Sequence, residues 1–234
     1  MKKAIVLSSG GVDSTTCIGL AIEKFGIENV STVSVYYGQR HSKELECAKD
    51  IAEYYKLDHR VIDLSNTGIF DDSNCSLLKH STANITYKSY AEQMIDNGIV
   101  NTYVPFRNGL ILSAVVALAL SLYPDDTISV YLGIHADDVV NSAYADCSIE
   151  FSEYMNKAVL AGTYNKVELV SPLVTFNKSQ VVAEGLRLNV PYGLTWSCYE
   201  GGDKPCGKCA TCLDREKAFR ENGVKDPIYE IYKN

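Results

Sequence analysis

A chain of 234 residues with 46% hydrophobic content can bury one full core with room for a small appendage, and its ordinary charged fraction marks it as globular. A net charge of −7 argues against a broad nucleic-acid footprint, which needs clustered lysine and arginine to displace counterions; the expected partner is a small molecule and not a nucleic acid. The longest apolar stretch, residues 109–123, is broken by Ser113 and Ser121 and falls short of the ~20 residues that span a bilayer, so no membrane partner is expected.

Met1-Lys2-Lys3 leads into a short apolar run and then glycines, without the apolar core of a secretory leader, so the expected location is cytoplasmic. Residues 4–7 read as a strand, and residues 14–24, apolar at Cys17, Leu20, Ala21 and Ile22, as an amphipathic helix. Between them stands Ser8-Ser9-Gly10-Gly11-Val12-Asp13-Ser14-Thr15. Consecutive N–H groups in such a turn point one way, the helix start adds partial positive charge, and glycines let a phosphate approach the main chain. The plainer reading is a Gly-Gly turn with Asp13 or Ser14 capping the helix. Its place at a strand exit favours the ligand reading, because parallel sheets bind ligands beyond the carboxyl ends of their strands. Neither G-x-x-x-x-G-K-[ST] nor G-x-G-x-x-G fits.

Residues 33–37 read as a second strand, residues 41–55 as a helix with Leu45, Ala48, Ile51 and Ala52 on one side, and residues 60–64 as a third strand. This β-α-β-α-β order predicts a parallel sheet. After the second strand, Tyr37 offers a stacking face for an adenosine, with Gln39 and Arg40 as donors; a core tyrosine is the blander reading. Residues 65–102 are polar and turn-rich and read as an insertion with one short helix near 89–97, expected to act as a lid or binding loop and to be mobile without ligand. A buried helix at 109–123, a strand at 128–133, a helix at 149–161 and a strand at 166–170 complete an open, doubly wound α/β sheet.

Polar groups fall where the sheet-end loops belong. Arg107, in Pro105-Phe106-Arg107-Asn108, stands at the buried helix's start, where a guanidinium can clamp phosphate or carboxylate. His135, Asp137 and Asp138 leave the fourth strand beside the crevice, offering acceptors to a guanine-like edge or to magnesium. Lys178 opens the last helix of the sheet, within reach of phosphate or, more plainly, as a solvated first-turn lysine.

Eight cysteines without a secretory leader are expected as thiols or metal ligands. Cys17, Cys47, Cys75 and Cys147 are scattered, and Cys17 and Cys47 fit amphipathic helices as small buried hydrophobes. Cys198, Cys206, Cys209 and Cys212 form a set with two C-x2-C steps, which favours a closed tetrahedral zinc site. An iron–sulfur cluster or a redox pair uses similar spacing.

The Ser9-to-Ser14 loop resembles that of the N-type ATP pyrophosphatases. The ordered combination of that loop, Tyr37-Gly38-Gln39-Arg40-His41, Val104-Pro105-Phe106-Arg107-Asn108, Tyr144-x-Asp146-Cys147, Ser171-Pro172-Leu173 with Lys178, and the four cysteines resembles the 7-cyano-7-deazaguanine synthase family over nearly the whole chain. The resemblance implies an ATP pyrophosphatase domain at 1–190, with the insertion at 65–102, and a zinc-binding segment at 191–234. It implies an ATP-dependent carbon–nitrogen ligase that turns 7-carboxy-7-deazaguanine and ammonia into the nitrile used for queuosine, through adenylated acid and amide. In that role Ser8 to Thr15 cradle ATP with Mg2+, Arg107 and Lys178 add positive charge, and Asp137 and Asp146 meet the purine-like edge or orient ammonia. Zinc, one per chain, is structural, and the enzyme is a homodimer. Two positions depart from the pattern: Ala145 stands where many relatives carry proline, and Ser8 replaces a more usual apolar residue. The alternatives are a relative that adenylates a different carboxylate, a tRNA-thiolating relative, which needs a basic face and a free reactive cysteine, and a non-enzymatic zinc module that binds a nucleotide.

Overall fold

Alternation along the first strand decides the layering. In β1 (Lys2–Leu7) Ala4 and Val6 belong to one apolar cluster and Ile5 and Leu7 to another, so successive side chains feed opposite faces of a sheet covered on both sides. The structure, a computed structural model, describes residues 1–40, 42–84, 99–137 and 144–231. Within these residues β1 is joined by β2 (Val30–Tyr36), β3 (Asp58–Asp63), β4 (Thr127–Tyr131) and β5 (Val167–Val170) in the order β3-β2-β1-β4-β5. Every pair is parallel; Ala4 of β1 lies between Val30 of β2 and Ser129 of β4. This is the expected open, doubly wound sheet, and the chain order reverses between β1 and β4, which opens a crevice at their carboxyl ends.

The helices are α1 (Val12–Phe25), α2 (Lys43–Tyr55), α3 (Arg107–Leu122), α4 (Ile149–Gly162), α5 (Lys178–Arg187), α6 (Ala210–Glu221) and the single turn α7 (Ile228–Ile231). On one face Ile18 and Ala21 of α1, Ile51 of α2, Val181 and Val182 of α5 and Phe219 of α6 pack on Ala4, Val6 and Tyr131. On the other, Leu112, Val115 and Ala119 of α3 and Val159 of α4 pack on Ile5, Val33, Val130 and Leu169. Fully buried side chains such as Ile5, Ile18 and Leu112 each contribute about 1.5–3 kcal/mol by leaving water.

α1 begins at Val12, two residues before the apolar periodicity suggests, because extended Gly11 serves as its N-cap without any side-chain bond. The described part of the 65–102 insertion is not bare loop: Phe70, Cys75 and Leu78 form a small cluster with Val104, against Tyr37 and Leu110. The expected helix at 89–97 lies outside the described residues, as do His41 and Asp138. Near the C-terminus Tyr192, Ala218 and Phe219 join the α1 face, while Trp196 and Ile228 surround the cysteines together with Cys47. Among the described residues no helix is long and apolar enough to cross a membrane.

Candidate active site and metal centre

The loop after β1 reaches the crevice because two contacts bend it there. Gly10 has φ +77°, and a Cβ on it would lie 2.2 Å from the Glu44 carbonyl oxygen and 2.8 Å from the Ala48 nitrogen, so only glycine lets the loop turn against α2. Ser9 N–H donates to Ser14 Oγ at 3.2 Å, and the two hydroxyls lie 3.1 Å apart. Thr15 Oγ1 donates to Gly11 O at 2.6 Å. Ser14 is therefore a brace across the turn rather than an N-cap, and the first N–H groups of α1 carry no side-chain cap. Val12 has its side chain in the core, leaving only its backbone for a ligand. Ser8 is buried; its N–H donates to Val33 O and its carbonyl accepts from Ser34 Oγ.

Lys178, the first residue of α5, brings its Nζ to 2.7 Å from both carboxylate oxygens of Asp13 and to 3.3 Å from His135 Nε2. Burial pushes the Asp13 carboxyl up, but the Lys178 and His135 charges outweigh it and the group sits below the ordinary carboxylate value. Asp137 is bound to the same helix start, its Oδ2 accepting from Lys178 N–H at 2.7 Å. A capping box between Asn177 and Gln180 fixes that first turn.

The opposite wall is the start of α3. Arg107 donates to the Tyr37 hydroxyl at 3.1 Å, with its guanidinium 5.5 Å from that ring's centre. Asp146 is buried, its Oδ2 accepting from Asn108 N–H at 2.9 Å, while Asn108 Nδ2 donates to Asp146 O at 3.0 Å and Cys147 Sγ at 3.3 Å. Gln39 and Arg40, expected as donors to an adenosine, bond the protein's own backbone: Gln39 Oε1 accepts from Tyr37 N–H, and Arg40 donates to the carbonyls of Ser81 and Ala83.

The four-cysteine set comes together: the sulfurs of Cys198, Cys206, Cys209 and Cys212 all lie within 4.8 Å of one another. Tetrahedral Zn–S bonds of about 2.3 Å require sulfurs roughly 3.8 Å apart, so the set needs only a small contraction to hold a metal such as zinc. Cys206 N–H donates to Cys198 Sγ and Cys209 N–H to Cys206 Sγ, each at 3.3 Å, contacts that orient the two sulfurs. Cys17, Cys47, Cys75 and Cys147 are buried and lie outside the four-sulfur set.

Sequence spacing did not reveal how the cysteine segment meets the loop after β1. Trp196 N–H donates to Gly10 O at 2.8 Å, and Trp196 Nε1 donates to Cys198 O at 2.9 Å. Arg215 of α6 holds the segment from below through both Asp226 oxygens, Thr195 Oγ1 and Tyr192 O. Neither residue belongs to a local motif; their pairing joins positions that are distant or irregularly spaced.

A family model described as queuosine biosynthesis protein QueC matches residues 3–223. The chain belongs to the QueC family. A 7-cyano-7-deazaguanine synthase from Caldicellulosiruptor saccharolyticus is 42% identical over 230 residues, covering 98% of this chain and 96% of that protein. A 7-cyano-7-deazaguanine synthase from Archaeoglobus fulgidus is 39% identical over 235 residues, 99% of this chain and 92% of its own. The match covers the loop after β1, both walls of the crevice and the four cysteines, so in this QueC protein they belong to one family unit.

Proposed function

We propose that this QueC protein is an ATP-dependent carbon–nitrogen ligase that converts 7-carboxy-7-deazaguanine and ammonia into 7-cyano-7-deazaguanine. Near-full-length similarity to proteins of that name supports the reaction. The single structural observation that carries the chemistry is the uncapped start of α1 behind Gly10 and Gly11 at the β1–β4 crevice.

A carboxylate is a poor electrophile. Its oxygen attacks the α-phosphate of ATP, pyrophosphate departs, and an acyl-adenylate remains. Backbone donors from Ser9 to Thr15 stabilise the charge that grows on pyrophosphate. Lys178, released from Asp13 by the arriving triphosphate, and Arg107 add positive charge, while Asp137 and Asp146 orient the purine-like edge or the incoming nitrogen. Ammonia displaces AMP to give the amide. A second adenylation, on the amide oxygen, lets loss of AMP produce the nitrile. Mg2+ bound with the triphosphate would supply charge neutralisation there, and Asp13 would be a carboxylate able to hold it.

Zinc held by Cys198, Cys206, Cys209 and Cys212 is structural in this reading, since four thiolates leave no open position. Residues 1–190 serve as the ATP pyrophosphatase domain and 191–234 as the zinc-binding segment. The enzyme works as a cytoplasmic homodimer on small molecules, and its net charge of −7 supports a role without nucleic acid. Mass spectrometry after incubation with 7-carboxy-7-deazaguanine, ATP and ammonium tests the reading: the nitrile with AMP and pyrophosphate is expected, and no nucleotide turnover would overturn it.

A further inference from the structure

His135, in the segment that leaves β4, is buried at the crevice and has no part in the chemistry above. Its backbone is held on both sides. A Cβ on Gly133 would lie 2.9 Å from the Asp13 carbonyl carbon and 2.9 Å from the Ser14 nitrogen, so only glycine lets the chain leaving β4 rest directly on the first turn of α1. Ile134 is buried, and Ala136 N–H donates to Phe176 O at 2.8 Å, just before α5 begins. One fixed stretch of chain thus carries the imidazole between the starts of α1 and α5.

Groups from both helices flank the ring. Nε2 stands 3.3 Å from Lys178 Nζ and 3.8 Å from Asp13 Oδ2, and Nδ1 stands 4.0 Å from Asp137 Oδ2. An ammonium group has donors and no acceptor, so Nε2 accepts from Lys178 and the ring proton is assigned to Nδ1, on the side of the Asp137 carboxylate. The same Asp137 oxygen accepts from Lys178 N–H at 2.7 Å. One carboxylate therefore faces both the ring and the start of the helix that carries the lysine.

We propose that His135 is the positioning residue that keeps Lys178 Nζ aimed at the phosphates while the lysine changes partners. The inference rests on the function proposed above, in which the triphosphate draws Lys178 from Asp13. A lysine is a point charge on a flexible four-carbon stem, and once it leaves its carboxylate Asp13 no longer aims it. A neutral imidazole suits the second partner. It takes one of the three ammonium hydrogens, leaves two for phosphate oxygens, and adds no negative charge beside the triphosphate. The ring moves no proton in this role; it acts only through Lys178.

His135→Asn and His135→Gln in the full chain test this, because an asparagine amide extends only to the level of Nδ1 and a glutamine amide to that of Nε2. Carboxylate-dependent exchange of pyrophosphate into ATP is followed at varied ATP. For His135→Asn, kcat lower by about 10–100-fold with KM for ATP within about threefold is expected, the scale of a slightly misplaced group, and His135→Gln should recover most of that kcat. Should the asparagine variant not fold, His135→Leu, which also lacks an acceptor there, takes its place. Urea unfolding of the His135 variant, Lys178→Met and the double variant should show non-additive costs, a readout that needs no turnover. Unchanged kcat, no recovery by Gln, a change in KM alone or additive unfolding costs would overturn the proposal. Wild-type protein without exchange, beside non-additive unfolding, sinks instead the reading beneath it.

Discussion

Lys178 Nζ sits 2.7 Å from both Oδ1 and Oδ2 of Asp13, joining the first turns of α5 and α1 across 165 positions. The pair places a cation at the mouth of the glycine loop after β1 and holds it there by a charge-assisted contact. Neither group is fully shielded, with side-chain exposures of 18% and 21%, so the lysine keeps access to the crevice.

Lys178→Met therefore leaves Asp13 partly buried without its main counter-charge. A loss of about 1–3 kcal/mol is expected in urea unfolding, together with strongly reduced pyrophosphate exchange. Adding Asp13→Asn should restore part of the stability and none of the exchange, a coupling that a double-mutant cycle reads directly.

Gly10→Ala should be far worse than Gly38→Ala, although both glycines have positive φ. At Gly38, with φ +89°, a Cβ meets nothing within 4 Å, so only the left-handed backbone cost of about 1–2 kcal/mol applies. At Gly10 the same cost is joined by collision with the backbone of α2, which shifts the loop itself. Thermal melts combined with calorimetric ATP titration should show loss of both stability and nucleotide binding for Gly10→Ala, and of stability alone for Gly38→Ala.

Asp13 and Glu44 give stability opposite pH slopes. Asp13 titrates below its ordinary value in the fold, so the unfolded chain binds its proton first; that contribution is present above the ordinary carboxylate range and lost as pH falls through the folded value. Glu44 is raised from 4.5 to about 7, so the fold keeps a proton that the unfolded chain has released, and stability from this group declines as pH rises across that interval. Urea midpoints measured against pH should show Glu44→Gln flattening the decline toward pH 7, and Asp13→Asn flattening only the acid limb.

Zinc bound by the cysteines should appear by atomic emission at one ion per chain and disappear in Cys212→Ser. Trp196, the single tryptophan, is 1% exposed and bonds both Gly10 and Cys198, so stripping the metal should shift its fluorescence to the red and weaken ATP binding together. An iron–sulfur absorption band, or an unchanged Trp196 signal, would count against the assignment.

Arg215 and Asp226, at 3% and 1% side-chain exposure, form a buried ion pair. Replacing Arg215 with Met leaves an uncompensated carboxylate, expected to cost about 3–5 kcal/mol by denaturant unfolding, and Lys, which lacks the planar fork, should rescue only part.

The alternating apolar runs of β1 to β3 and their helices were readable because burial on a sheet face or helix stripe imposes a local period. The Gly10–Gly11 turn and the Cys206–Cys209–Cys212 spacing were readable for a related reason: a tight glycine turn and a thiol cluster each draw most of their groups from one short segment. Helix starts were less legible. α1 begins at Val12 because Gly11 needs no side chain to cap it, and apolar periodicity carries no mark of such a cap.

By itself, then, the amino-acid order determined a parallel α/β sheet, a glycine turn after its first strand, and a four-thiol cluster near the end. The tertiary structure alone decided that Lys178 meets Asp13, that Trp196 holds Gly10, and that Asp146 is tied to Asn108. Periodicity records which face a residue turns toward the core. Which distant side chain waits there depends on strand order and register, and these emerge only when both faces of the sheet are packed at once.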